Sequence, residues 1–139
     1  MTRQRALFWL LTYQYLAGLS DTSAGWFLVL EPQWTLTLMG VRRIPQPIEF
    51  ASFVGVFVLG VGVTYLYATR LPFVAFNTAR WQTIWALTAL IRTLVAVFLL
   101  GEILLGRMER AWLAVAVTDG TLALIQWIGL SKGWLNFED

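Results

Sequence analysis

Residues 78–105 read TARWQTIWALTALIRTLVAVFLLGEILL. Only Arg80, Arg92 and Glu102 carry charge in that run. At 1.5 Å per residue, a helix of this length is longer than the roughly 30 Å hydrocarbon core of a bilayer. The stretch reads as a membrane-crossing helix. Apolar runs at 49–70 and 111–130 repeat the pattern, and a more mixed run at 6–30 adds a fourth. A helix satisfies its own backbone hydrogen bonds, which lipid cannot do. The expected fold is therefore an all-α, integral membrane four-helix bundle, with residues 1–139 forming a single four-span transmembrane domain.

Composition agrees. The chain has 139 residues, of which 58% are hydrophobic and 13% charged, against about 25% charged in soluble domains. Its mean hydropathy is +0.67. Four spans of about 20 residues leave no room for a separate soluble domain. Trp26, Trp34, Trp81, Trp112 and Trp134 lie near the ends of apolar runs, where an amphipathic ring suits the headgroup region, and read as interfacial anchors. The bilayer is the first expected partner.

Cysteine and histidine are both absent. That removes thiolate and imidazole metal sites, disulfides, haem ligation by His and the imidazole of a Ser/His/Asp grouping. No catalytic motif is recognisable, and neither a cofactor nor a metal is expected. The net charge of +2 is scattered, without a basic stripe interleaved with aromatics, so nucleic acid is not expected as a partner.

Arg3 and Arg5 precede the first apolar run, as in a signal peptide. No A-x-A-like site follows, and apolar character resumes at Trp26 to Leu30 beyond Ser20-Asp21-Thr22-Ser23, so residues 6–30 read as a retained first span. Glu31-Pro32 opens a new element, since proline suits the first turn of a helix. Pro32 to Gly40 is expected to form a short interfacial helix between spans 1 and 2, ended by Arg42-Arg43-Ile44-Pro45-Gln46-Pro47. In the second span Gly55 and Gly62 are seven residues apart on nearly one face, with Ser52 and Gly60 nearby. Small residues on one face let helices approach closely. Pro72 and Asn77-Thr78 separate the second and third helices, with Asn77-Thr78 offering an N-cap, and residues 106–110 form a tight turn.

Basic residues outside the spans divide into Arg3, Arg5, Arg70, Arg80 and Lys132 on one side and Arg42, Arg43, Arg107 and Arg110 on the other. By the positive-inside rule the excess places both termini in the cytoplasm. The arginines of the second set read as solvated or as lipid-headgroup contacts.

Charge within the spans is the main functional clue. Arg92 is near the centre of the third span, where a charge costs about 2.5–3.5 kcal/mol on insertion scales, so it is expected to face the bundle interior. Helical rise places Asp21 and Asp119 about 13 Å, Arg92 about 20 Å and Glu102 about 5 Å from the shared outer ends of the helices. Thr88, Arg92 and Ala96 form one stripe, while Asp119 and Gln126 share a face of the fourth helix. Asp119 is the better electrostatic partner for Arg92. Gln126 is the better match in depth, because an arginine on a helix leans toward its own N-terminus. Asp21, Arg92, Glu102, Asp119 and Gln126 are the candidate buried polar cluster, read either as a knot fixing helix register or as a pocket for a ligand. Two aspartates beside one arginine leave negative charge for a proton or cation to offset.

The plan resembles the DoxX-like small bacterial four-helix membrane proteins and, more distantly, the Erg28-like sterol-pathway scaffold proteins. The shared features are a short first span, Pro32-Gln33-Trp34 through Leu38-Met39-Gly40, a Gly-rich second span from Phe53-Val54-Gly55, and a third span with internal Arg92 and Glu102. The resemblance implies an auxiliary role in a bacterial inner membrane and assigns no catalytic residues. The expected function is a nonenzymatic accessory or scaffold subunit, associated with other membrane subunits or with copies of itself. The alternative is a transporter or binding protein for a small or lipidic ligand. An enzyme using the two aspartates for proton transfer ranks third.

Overall fold

A computed structural model describes residues 3–70 and 78–136. It contains five α-helices: α1 (Arg3–Leu30), α2 (Pro32–Leu38), α3 (Glu49–Arg70), α4 (Thr78–Leu104) and α5 (Leu113–Ser131), with a 3-10 turn at Arg110–Trp112 before α5. No strand occurs among the described residues. The expected break at Pro72 and cap at Asn77 lie outside those residues, as do the side chains of Arg3 and Arg70.

Helix α2 starts at Pro32, whose missing amide hydrogen removes no bond from a first turn. Its end is built around Gly40 at φ +80°. The Val41 amide donates to the Leu36 carbonyl at 3.0 Å and the Gly40 amide to Thr37, a Schellman turn in which Val41 and Leu36 are both buried. Gly106, at φ +70°, ends α4 in the same way, with the Arg107 amide donating to Glu102 at 2.9 Å.

The long helices pair as α1 with α3 and α4 with α5. Glycine sets the first pairing. A Cβ on Gly25 would lie 2.3 Å from the Leu59 amide nitrogen, and one on Gly62 would lie 2.3 Å from that of Thr22. Gly55 likewise meets the backbone of Gly25 and Val29. The expected glycine face on the second span is therefore real. Gly60 points away from it, with nothing within 4 Å of an added Cβ. In lipid, such close approach replaces the hydrophobic effect as the source of helix association.

Large side chains join the two pairs. Trp81 and Trp85 of α4 pack with Leu10 of α1 and Leu135, with Leu11, Tyr13 and Leu130 around them. At the opposite end Leu28, Leu36, Val41 and Ala51 form a cap against Ala111 and Trp112. Glu109 ties that end together by accepting the amides of Arg42 and Arg43. The 31–48 connection and the 106–110 turn thus share one end of the bundle.

Three segments are long and apolar enough to cross a bilayer: α3, α4, and α5 with its preceding turn. Their outer faces expose Phe53, Phe57, Leu94, Phe98, Val117 and Leu124, an apolar surface suited to lipid. Helix α1 has 28 residues but is diluted by Gln14 and the Ser20–Ser23 patch. It does not match the apolarity of the other three.

The five proposed Trp anchors require one correction. Trp26, Trp34 and Trp134 are exposed, and Trp112 is half-buried in the end cap. Trp81 is a core residue, 1% exposed. Its place in the sequence, near a helix start, could not show that α1 and the residues after α5 close over it.

Candidate functional site

Arg92 lies at the middle of α4, and its side chain is 3% exposed. Each of the other three long helices supplies one partner to this side chain. Nη2 bonds Oδ2 of Asp21 from α1, and Nη1 bonds Oδ1 of Asp119 from α5. Nε donates to the Tyr65 hydroxyl of α3 at 3.1 Å. The guanidinium carbon lies 5.4 Å from the Tyr65 ring centroid, close enough for cation–π attraction. The guanidinium's fixed fork of donors suits this arrangement, since it can bond in several directions at once.

The charges do not cancel. Two carboxylates meet one guanidinium, leaving one formal negative charge with all three ionised. Asp21 is 17% and Asp119 18% exposed, while Arg92 is almost fully enclosed. Each carboxylate bonds Arg92 through a single oxygen, so its second oxygen retains acceptor capacity.

A second polar layer lies toward the N-terminal end of α4. Trp85 Nε1 donates to Gln14 Oε1 at 3.0 Å, and Gln14 Nε2 donates to the Tyr65 carbonyl at 3.3 Å. Gln126 Nε2 donates to Thr88 Oγ1 at 2.7 Å, and the Tyr13 hydroxyl donates to the Leu122 carbonyl at 3.1 Å. Gln14 and Gln126 are fully buried. Gln126 Oε1 has no hydrogen-bond partner among the described residues.

The five candidate residues divide. Asp21, Arg92 and Asp119 come together. Gln126 stands one step away on Thr88 and makes no bond to Arg92. Glu102 belongs elsewhere: its carboxylate pairs with Arg107 at 3.3 Å in the turn after α4. The choice between Asp119 and Gln126 falls to Asp119 for a reason that side-chain direction alone obscured. Gln126 is level with Thr88, and Gly120 is level with Ala96, as shown by the 3.7 Å approach of an added Cβ to Ala96. Arg92 therefore reaches toward the C-terminal end of α4, against the usual helical lean. Ionic attraction in a poorly screened interior outweighs that preference.

Tyr65 and Gln14 were not among the candidates, although each carried a signal. Tyr65 is three residues beyond Gly62 and thus on the face that packs against α1; Gln14 is seven residues before Asp21 and shares its face. Among the described residues, no group of three or more Asp or Glu is placed to hold a metal ion. No family model, curated protein or solved structure matches the chain.

Proposed function

We propose that this protein is a four-span accessory or scaffold subunit of a bacterial inner membrane, without catalytic activity of its own. One observation carries the reading: the interior charges of α1, α4 and α5 are bonded to one another, and Tyr65 joins α3 to them. They hold the bundle together rather than facing a reactant. Gly60 and Gly101 support it, because both leave open space beside an outward backbone where a partner helix can approach. The auxiliary role implied by the DoxX-like resemblance points the same way. On this reading α1 is the fourth span, held in the membrane by burying its polar residues, while α2 lies at the interface and both termini are cytoplasmic.

Purification in mild detergent after chemical crosslinking tests the proposal. Bulky substitution at Gly60 or Gly101 is expected to release a co-purifying membrane subunit while the fold persists. A chain that never retains another subunit, and whose deletion leaves neighbouring complexes intact, speaks against it.

The uncancelled charge at Asp21, Arg92 and Asp119 favours a second reading, in which a small or lipidic ligand with a cationic group binds beside the two carboxylates. Retention of such a molecule by the wild type, and its loss in Asp21→Asn with folding preserved, would select this reading over the first.

A further inference from the structure

We propose that the end of the bundle bearing Arg42, Arg43 and Arg110 is a binding surface for the phosphate groups of anionic lipid headgroups. The inference uses a different part of the molecule from the interior cluster and requires only that the bundle sit in a bilayer.

All three arginines are exposed. They are brought together by an anchoring contact that leaves their guanidinium groups free. Glu109 accepts the Arg42 amide on Oε2 at 3.1 Å and the Arg43 amide on Oε1, so backbone hydrogens occupy both carboxylate oxygens. This fixes Arg42 and Arg43 beside the residue next to Arg110. Among the described residues, no ion pair joins any of the three guanidinium groups to a carboxylate.

The same end carries four glutamates, and among the described residues none forms an ion pair with Arg42, Arg43 or Arg110. Glu31 precedes α2 and Glu49 is in the first turn of α3, beside the positive ends of those helices. Glu102 pairs with Arg107, and Glu109 receives the two amides. What remains is a set of free guanidinium forks, whose geometry matches phosphate oxygens.

Depth identifies the source of the phosphate. The arginines lie just beyond the ends of α3, α4 and α5, bordered by exposed Trp34, Leu38, Leu104 and Leu105. Apolar and indole side chains at that level seat the end in the membrane interface, where lipid phosphate is the concentrated anion.

The test measures binding of phosphatidylglycerol and phosphatidylcholine to the detergent-solubilised full chain by native mass spectrometry. Phosphatidylglycerol is expected to bind more tightly. Replacing Arg42, Arg43 or Arg110 singly with Gln should weaken its binding by about fivefold each, the scale for one cationic side chain at an anionic surface. Arg→Lys variants should retain only part of the affinity, keeping the charge but losing the two-pronged fork, and Lys132→Gln, at the opposite end, should leave it unchanged. Thermal melts establish that each single variant is folded, as expected for exposed side chains. Equal binding of the two lipids, or unchanged phosphatidylglycerol affinity in all three Gln variants, would overturn the proposal. Displacement of phosphatidylglycerol by millimolar inorganic phosphate would also overturn it, by making the surface a site for soluble anions.

Discussion

Asp21 and Asp119, on the first and last helices of the bundle, bond opposite terminal nitrogens of the same Arg92 guanidinium. Neither helix needs to touch the other for this link to hold them. Tyr65 completes the arrangement from α3, so the only buried arginine among the described residues connects every long helix.

Arg92→Leu is expected to lower stability by about 3–5 kcal/mol, because it strands carboxylates that are partly enclosed. Adding Asp21→Asn and Asp119→Asn should recover much of the loss by removing those charges. Thermal unfolding in detergent provides the measurement. Equal midpoints for wild type and Arg92→Leu would contradict the buried link.

Close packing of α1 on α3 makes a prediction with an internal control. Gly25→Ala and Gly62→Ala place a Cβ against backbone and should cost about 1–3 kcal/mol or more, outweighing the gain in helix propensity. Gly60→Ala meets nothing and should be neutral or stabilising by up to about 1 kcal/mol. Comparison of the three melting curves tests the assigned glycine face.

Trp85 links the two helix pairs through its bond to Gln14. Trp85→Phe leaves Gln14 Oε1 buried without that donor and should destabilise the fold by about 1–3 kcal/mol. Gln14→Leu in the same chain should restore part of the loss. A double-mutant cycle on thermal stability measures the coupling.

At the arginine-bearing end, the Arg43 amide beside Glu109 holds its carboxyl below the ordinary glutamate range, with the Arg42 amide and both arginine charges acting in the same direction. A folded pKa below the unfolded value means that the clasp contributes fully above the ordinary range and is lost as pH falls through the folded value. Hydrogen-exchange protection of the Arg42 and Arg43 amides, corrected for intrinsic rate, should therefore fall on acidification. Glu109→Gln should lower that protection at neutral pH and remove its pH dependence. Identical profiles for the two proteins would count against the clasp.

The antiparallel arrangement places Arg42 and Lys132 at opposite ends. The chain has no cysteine, so single Arg42→Cys and Lys132→Cys variants can be labelled in intact cells without background. Only Arg42→Cys should react with a membrane-impermeant maleimide. Labelling of both positions, or of Lys132→Cys alone, would refute the proposed orientation.

The sequence alone determined the helical fold and its apolar surface, because hydropathy and the period of small residues report on the surroundings of each helix separately. It also marked Asp21, Arg92 and Asp119 as interior residues, since charge in an apolar run has few places to go. Tertiary structure decided which of these groups meet. The choice of Asp119 over Gln126, the enclosure of Trp81 and the departure of Glu102 to Arg107 all depend on how neighbouring helices are rotated and offset along their axes. Periodicity within one helix does not contain that offset. It is fixed by contacts between helices, such as Gly62 against Thr22 and Gly120 beside Ala96, where a shift of one turn would move each side chain about 5.4 Å and exchange its partners.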